Sequence, residues 1–373
     1  MSGTSGHGRL AGTGAHLRGL LLAALSMLAP VAGFASTPAP GVTIAARDSH
    51  VAVMGRTRAD ADGGRSAGYP GVSYFLHVKG RALDMRASSD SGQGLVDVIV
   101  DGGRAQTIRL ARQPETYALF RFASPGDHKV RIVERTETWQ AISTIRSFTV
   151  QGGGFLPAPV LPARKILLLG DSVTCGEMID RVPGEKKQPG WNDPLASYGM
   201  LAAAVLHAQV QLVCYGGRGL IRSWTGKTSE QNLPDFYALT LADPDHPVPW
   251  DKRLYTPDLV VSAIGTNDFA VGIPDRKTYV AAYVALVRRI LADYPHAQVG
   301  LTEGAILSGA NKRAMVGYIA DTIAAVHDPR VRQLSSTYYP GDAQDSHPTR
   351  EQQREMAKDF VPQLRALTGW RAP

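Results

Sequence analysis

An α/β domain preceded by an all-β sandwich is the architecture this chain predicts, and three observations predict it. Residues 42–150 carry short, partly alternating apolar strands separated by turn residues, with no helical periodicity between them. A Gly/Pro-rich stretch, Gly152-Gly-Gly-Phe-Leu-Pro-Ala-Pro-Val-Leu-Pro-Ala163, then interrupts the pattern. Beyond Arg164, continuous apolar strands alternate with amphipathic helices, as in a doubly wound sheet.

The elements follow in chain order. His16 and Arg18 precede an apolar stretch, Gly19 to Ala35, that ends in small residues. That is the layout of a secretory signal peptide over residues 1–35, with cleavage after Gly33-Phe34-Ala35. The run is short for a membrane anchor and is broken by Pro30. The strands of the first half are Val51–Met54, Val72–Val78, Leu95–Val100, Tyr117–Phe122 and His128–Val133. Asp101-Gly-Gly and Pro125-Gly-Asp supply their turns, and the spacing suits a jelly-roll sandwich.

In the second half Lys165–Gly170 is a strand apolar on both faces, as a buried parallel strand must be. A helix over Leu195–His207, a strand over Val210–Cys214 and a strand over Asp258–Ile264 follow. Next come a helix over Lys277–Tyr294, a strand over Gln298–Thr302, a helix over Lys312–His327 and a short strand near Val331–Leu334. A last helix spans Glu351–Leu367 and contains Pro362.

Composition excludes several functions. Of 373 residues 44% are hydrophobic and 20% charged, so the chain has a core to bury. The net charge of +7 comes without any dense basic block interleaved with aromatics, which gives no nucleic-acid site. Ten histidines show no ligand spacing and no glycine-rich phosphate loop follows the first parallel strand, so neither metal nor cofactor is expected. Two cysteines, Cys175 and Cys214, cannot staple a scaffold; a disulfide between them and two free buried thiols both remain open.

Ligands of such a sheet bind at the carboxyl ends of its strands, and three polar clusters stand there. Gly170-Asp-Ser172 follows the first parallel strand, Tyr215-Gly-Gly-Arg-Gly219 the second and Gly265-Thr-Asn-Asp268 the third. A fourth, Asp345-Ser-His-Pro348, precedes the last helix. Singly each is an ordinary turn or cap; together they bring a serine, a histidine, an acid and an amide to one rim. A serine hydroxyl is a weak nucleophile until a base is set beside it, and a histidine oriented by a carboxylate is such a base.

These blocks resemble the signature of the SGNH (GDSL-type) hydrolases. The longer strings Gly170-Asp-Ser-Val-Thr-Cys-Gly176, Ala196-Ser-Tyr198 and Gly216-Gly-Arg-Gly-Leu220 resemble carbohydrate esterase family 2 within that superfamily. The resemblance implies a jelly-roll over residues 42–152, a linker over 153–165 and an SGNH, flavodoxin-like three-layer α/β/α catalytic domain over 166–373. It implies Ser172 as nucleophile, His347 as base and Asp345 as the orienting acid. Asp342 and a main-chain carbonyl are the alternatives for that acid. The oxyanion hole is expected from the backbone N–H groups of Ser172 and Gly217 and the amide of Asn267, with Gly219 the alternative to Gly217. Asp171 and Asp268 are expected to hold loops through backbone hydrogen bonds.

The implied activity is removal of O-acetyl groups from xylan- or glucomannan-like polysaccharide, outside the cell or in the periplasm and with no membrane partner after signal cleavage. A GDSL-type lipase or lysophospholipase and a catalytically weak carbohydrate-binding protein stand as alternatives. Arg218, Trp224 and Trp191 are the expected substrate contacts, aromatic faces and a cation in the loops beyond the rim. Ser346 stands where the family often places an aromatic residue.

Overall fold

A computed structural model describes residues 41–371, and the signal-peptide segment lies outside them. Ten strands make the first half: β1 (Val42–Ala45), β2 (Ala52–Met54), β3 (Arg58–Ala59), β4 (Arg65–Ala67), β5 (Ser73–Ser89), β6 (Leu95–Val100), β7 (Gln106–Arg109), β8 (Glu115–Glu134), β9 (Ser143–Gln151) and β10 (Gly154–Phe155). All of them pair antiparallel, in the central order β3-β4-β9-β5-β8-β6-β7.

Three details depart from the sequence reading. The expected turn at Pro125-Gly-Asp lies inside β8, which continues through it against β5. Gly126 sits opposite Gly80 and Arg121 opposite Ala82, so Phe122–Pro125 bulge out against Arg81 alone. Proline has no N–H to give the ladder, and a bulge asks for none. Strand β9, central in the sheet, was not foreseen. Its alternation of Ile145, Phe148 and Val150 is broken at Arg146, where the register with β5 shifts by a residue. The Gly/Pro-rich connection also contributes, through β10, a short pair with β5 at Val78 and Lys79.

The second half is a five-stranded parallel sheet: β11 (Arg164–Gly170), β12 (Ala208–Cys214), β13 (Leu259–Ala263), β14 (Gln298–Leu301) and β15 (Val331–Gln333), in the order β12-β11-β13-β14-β15. Helices α1 (Ser172–Cys175), α2 (Tyr198–Val205), α3 (Leu233–Phe236), α4 (Arg276–Asp293), α5 (Gly309–Val326) and α6 (Arg350–Thr368) connect and cover it. Alternate residues of β11 enter different cores. Leu167 and Leu169 join α4 and α5 on one face, and Ile166 and Leu168 join α2 and α6 on the other. Each such buried leucine stabilises the fold by about 1.5–3 kcal/mol.

Helix α2 begins later than expected because Pro194 opens a separate 3-10 turn and Ser197 caps the helix through the Met200 amide. Thr349 and Gln352 form a capping box that starts α6 directly after the Asp345-Ser-His347 segment. The two halves are joined through buried polar contacts. Fully buried Arg56 donates to the carbonyls of Tyr237 and Leu239, and Tyr69 donates to that of Phe236. Arg135 bridges Asp97 on β6 to Asp180 and the Gly190 carbonyl in the segment after α1.

Candidate active site

Strand β11 ends at Gly170, and the chain turns at once into the single turn of α1. A Cβ at Gly170 would strike the Thr174 hydroxyl at 2.0 Å, so the turn requires glycine. Asp171 caps α1, its Oδ1 accepting from the Val173 amide at 3.1 Å. Burial pushes the Asp171 carboxyl up to about 6 against that hydrogen bond. The cap sets Ser172, the first residue of the turn, at the carboxyl end of β11, between β12 and β13.

The Ser172 Oγ lies 2.8 Å from Nε2 of His347, and His347 Nδ1 lies 2.5 Å from Oδ1 of Asp345. The same Asp345 oxygen accepts the His347 backbone N–H at 2.8 Å. Burial raises the Asp345 carboxyl, but the ring and backbone hydrogen bonds from His347 outweigh it and hold the group at about 2. An ionised carboxylate accepts only, so it assigns the imidazole proton to Nδ1 and leaves Nε2 as acceptor for the serine hydroxyl.

Asp342 does not contact the ring. It takes Arg181 Nε at 2.8 Å, while Arg181 Nη2 donates to the His347 carbonyl at 2.9 Å. Arg181 thereby ties the His347 loop to the segment after Ser172.

Two more loops complete the rim. Gly217 has φ +74°, a left-handed conformation, and a Cβ there would sit 2.8 Å from the Trp224 ring. Asn267 Nδ2 donates to the Arg218 carbonyl at 2.9 Å, which leaves the second amide hydrogen free of that bond. Asp268, fully buried, accepts from the amides of Leu220 and Ile221 at 2.7 and 2.8 Å and of Arg222 at 3.1 Å. Burial raises its carboxyl to about 6, opposed by those three amides. Cys175 and Cys214 form a disulfide with Cα atoms 5.7 Å apart, which ties α1 to the end of β12 just before Tyr215 and Gly216. This resolves the question left open by the sequence.

A cleft of about 650 Å³ opens over these groups, lined by Gly217, Asn267, Ser346 and His347 and by Trp139, Trp224 and Tyr338. Trp224 is 61% exposed and lines the cleft. Trp191, the other expected indole contact, is a correction: it is 5% exposed and lies outside the cleft lining. The 3-10 turn that holds it is tied down by the Gly190 carbonyl's bond to Arg135, which turns the indole inward. Arg218 is also a correction. Its guanidinium pairs with Glu230 and lies 5.1 Å over the Tyr215 ring, so only its carbonyl serves the rim. Phe236, Tyr237 and Trp250 pack the loops.

Sequence reasoning missed Trp139, which is 51% exposed and comes from the loop after β8 in the antiparallel half. It also missed Glu177, whose Oε2 lies 3.8 Å from His347 Nε2 and whose Oε1 pairs with Lys187. The only signal for Trp139 was a large aromatic inside the polar run Arg135-Thr-Glu-Thr-Trp-Gln140. Among the described residues no group of three or more His, Cys, Asp or Glu side chains is placed to hold a metal ion.

Both halves of the chain match known families. The family model of the carbohydrate esterase 2 N-terminal domain matches residues 53–159, and that of the GDSL-like lipase/acylhydrolase family matches residues 168–366. An acetylxylan esterase / glucomannan deacetylase of Cellvibrio japonicus is 52% identical over 328 residues, covering 88% of this chain and 92% of that protein. The solved structure of a family two carbohydrate esterase from Cellvibrio japonicus superposes with a TM-score of 0.88 at 51% identity, over 88% of this chain and 98% of that one. One from Clostridium thermocellum, in complex with cellohexaose, gives 0.79 at 25% identity, over 86% and 100%. With both of its halves matched, the chain belongs to carbohydrate esterase family 2.

Proposed function

We propose that this chain is a serine esterase that removes O-acetyl groups from xylan- or glucomannan-like polysaccharide through an acetyl-enzyme. The observation that carries the reading is the unbroken line from Ser172 Oγ to His347 Nε2 at 2.8 Å and from His347 Nδ1 to Asp345 at 2.5 Å. Ser172 Oγ attacks the acetyl carbonyl while Nε2 takes its proton, and Asp345 stabilises the imidazolium that forms. The carbonyl π pair moves to oxygen, where the N–H groups of Ser172 and Gly217 and the free amide hydrogen of Asn267 receive the charge. Collapse expels the sugar oxygen, which takes the proton from Nε2. A water then repeats the sequence on the acetyl-enzyme, releasing acetate and restoring Ser172.

The open, aromatic-lined cleft supports a flat glycan rather than a long acyl chain, since Trp139, Trp224 and Tyr338 offer ring faces at its rim. The apolar N-terminal stretch supports export to the periplasm or medium. No helix among the described residues is long and apolar enough to cross a membrane. Acetate release from acetylated xylan and glucomannan, beside p-nitrophenyl acetate and octanoate, tests the reading. Rapid acetate release and a strong preference for the short ester are expected; preference for octanoate would make the enzyme a lipase.

A further inference from the structure

The loop that leaves β8 crosses from the antiparallel sheet to the rim of the parallel one. Two residues before Trp139 it carries Glu137, which is buried beneath the cleft. Glu137 Oε2 accepts the Gly216 backbone N–H at 2.5 Å, and Oε1 lies 3.5 Å from the Asn192 amide nitrogen. Gly216 is the residue before Gly217. A Cβ on Gly216 would stand 2.9 Å from Glu177 Oε2 and 3.2 Å from both oxygens of Glu137, so two carboxyl groups close directly on this glycine. Burial and then the neighbouring Glu177 push the Glu137 carboxyl well above the ordinary range. Two carboxyl groups buried side by side are costly, and here one of them does a specific thing: it fixes the amide next to an oxyanion donor.

We infer that Glu137 is a positioning residue of the esterase reaction: its side-chain oxygen, supplied by the antiparallel domain, holds the Gly216 amide and so aims the Gly217 N–H at the developing oxyanion. This rests on the reading of Gly217 as an oxyanion donor. Gly217 stands in a left-handed conformation with no side chain of its own to lock it, and among the described residues the peptide before it has one side-chain anchor, Glu137. The antiparallel domain thereby becomes part of the catalytic apparatus, because the hole is misaligned without it. What Gly216 needs is an acceptor oxygen, and a charge is not required.

The test is the kinetics of Glu137→Ala, Glu137→Asp and Glu137→Gln on p-nitrophenyl acetate, each with its melting temperature and with Ser172→Ala alongside. Ala removes the acceptor and Asp withdraws it by one methylene, so kcat is expected to fall about tenfold or more with KM within about twofold. Gln keeps a carbonyl oxygen in place and is expected to retain kcat within about threefold. A merely structural Glu137 would lower the melting temperature without this split or this rescue. Full kcat in the Asp and Ala variants, a loss confined to KM, or a Gln variant as slow as Ala overturns the inference. Should the Ala variant fail to fold, the Asp and Gln pair decides. Undiminished hydrolysis by Ser172→Ala overturns the site reading itself, whereas an inactive Ser172→Ala with unaffected Glu137 variants overturns only the role of Glu137.

Discussion

Asn267→Ala isolates one of the proposed oxyanion donors, and its effect divides between chemistry and stability. The amide has two N–H groups. One is committed to the Arg218 carbonyl at 2.9 Å, and the other is left for charge that appears only after attack. Losing the first removes an ordinary loop hydrogen bond, worth about 1 kcal/mol of stability and about 1–2 degrees of melting temperature in a fold of this length. Losing the second removes transition-state stabilisation of about 3–4 kcal/mol, or roughly 10²–10³ in kcat, because the donor was preorganised and cost nothing to align. The acetyl carbonyl in the ground state gains little from it, so KM for p-nitrophenyl acetate is expected to stay within about twofold. Steady-state kinetics on the purified variant, with a melting curve to show that it folds, gives both numbers. A folded Asn267→Ala enzyme with kcat within threefold of the parent would refute the assignment of this amide to the oxyanion.

Other outcomes follow from the same geometry. Asp345→Asn and Asp345→Ala should lower kcat by about 10²–10⁴, approaching His347→Ala, since both lose the charge that fixes the tautomer; a loss under about tenfold would give the orienting role to a main-chain carbonyl. Trp139→Ala and Trp224→Ala should raise KM for acetylated glucomannan severalfold while leaving hydrolysis of p-nitrophenyl acetate nearly unchanged, and equal effects on both substrates would remove these rings from glycan binding. Closing a loop with a sequence separation of 39, the Cys175–Cys214 disulfide contributes about 4 kcal/mol in the chain-entropy picture. Paired Ser substitutions should therefore lower the melting temperature by several degrees. Glu134, at the end of β8, is raised by burial from 4.5 to about 8 against hydrogen bonds from Thr136. Its folded pKa lies above the unfolded one, so the contribution of Glu134 to stability is full at or below pH 4.5 and is lost as pH rises towards 8. Melting temperatures recorded across that window should decline less in Glu134→Gln; an unchanged slope would show that Glu134 is not the group responsible.

What the sequence made legible was whatever rests on contiguous residues. The β11 run Ile166–Leu169 is apolar at every position because both faces are covered, and this alone marks a parallel strand. Gly170-Asp-Ser172 and Asp345-Ser-His347 could be read as sites because each directly adjoins such an element. What stayed hidden depends on distance through space. Strand β9 escaped because one bulged residue, Arg146, breaks its alternation. Pro125-Gly126 has the composition of a chain reversal, but two glycines facing each other across β5 and β8 let the pair bend and continue. Trp191 and Trp139 are the same residue type in similar polar loops. One is buried and the other faces the cleft, because the loop after β8 folds across to the other domain, a path that no local pattern encodes. Glu137 was invisible for the same reason.

The central claim is that Ser172 is the nucleophile, activated by His347. It is tested most directly by labelling the enzyme with diethyl p-nitrophenyl phosphate, which phosphorylates an activated serine with stoichiometric release of p-nitrophenolate. Peptide mapping by mass spectrometry is expected to find one diethylphosphoryl group per chain, on Ser172, with esterase activity lost in step and no label in Ser172→Ala or His347→Ala. A label on another residue, or full activity in the enzyme labelled at Ser172, would contradict the account.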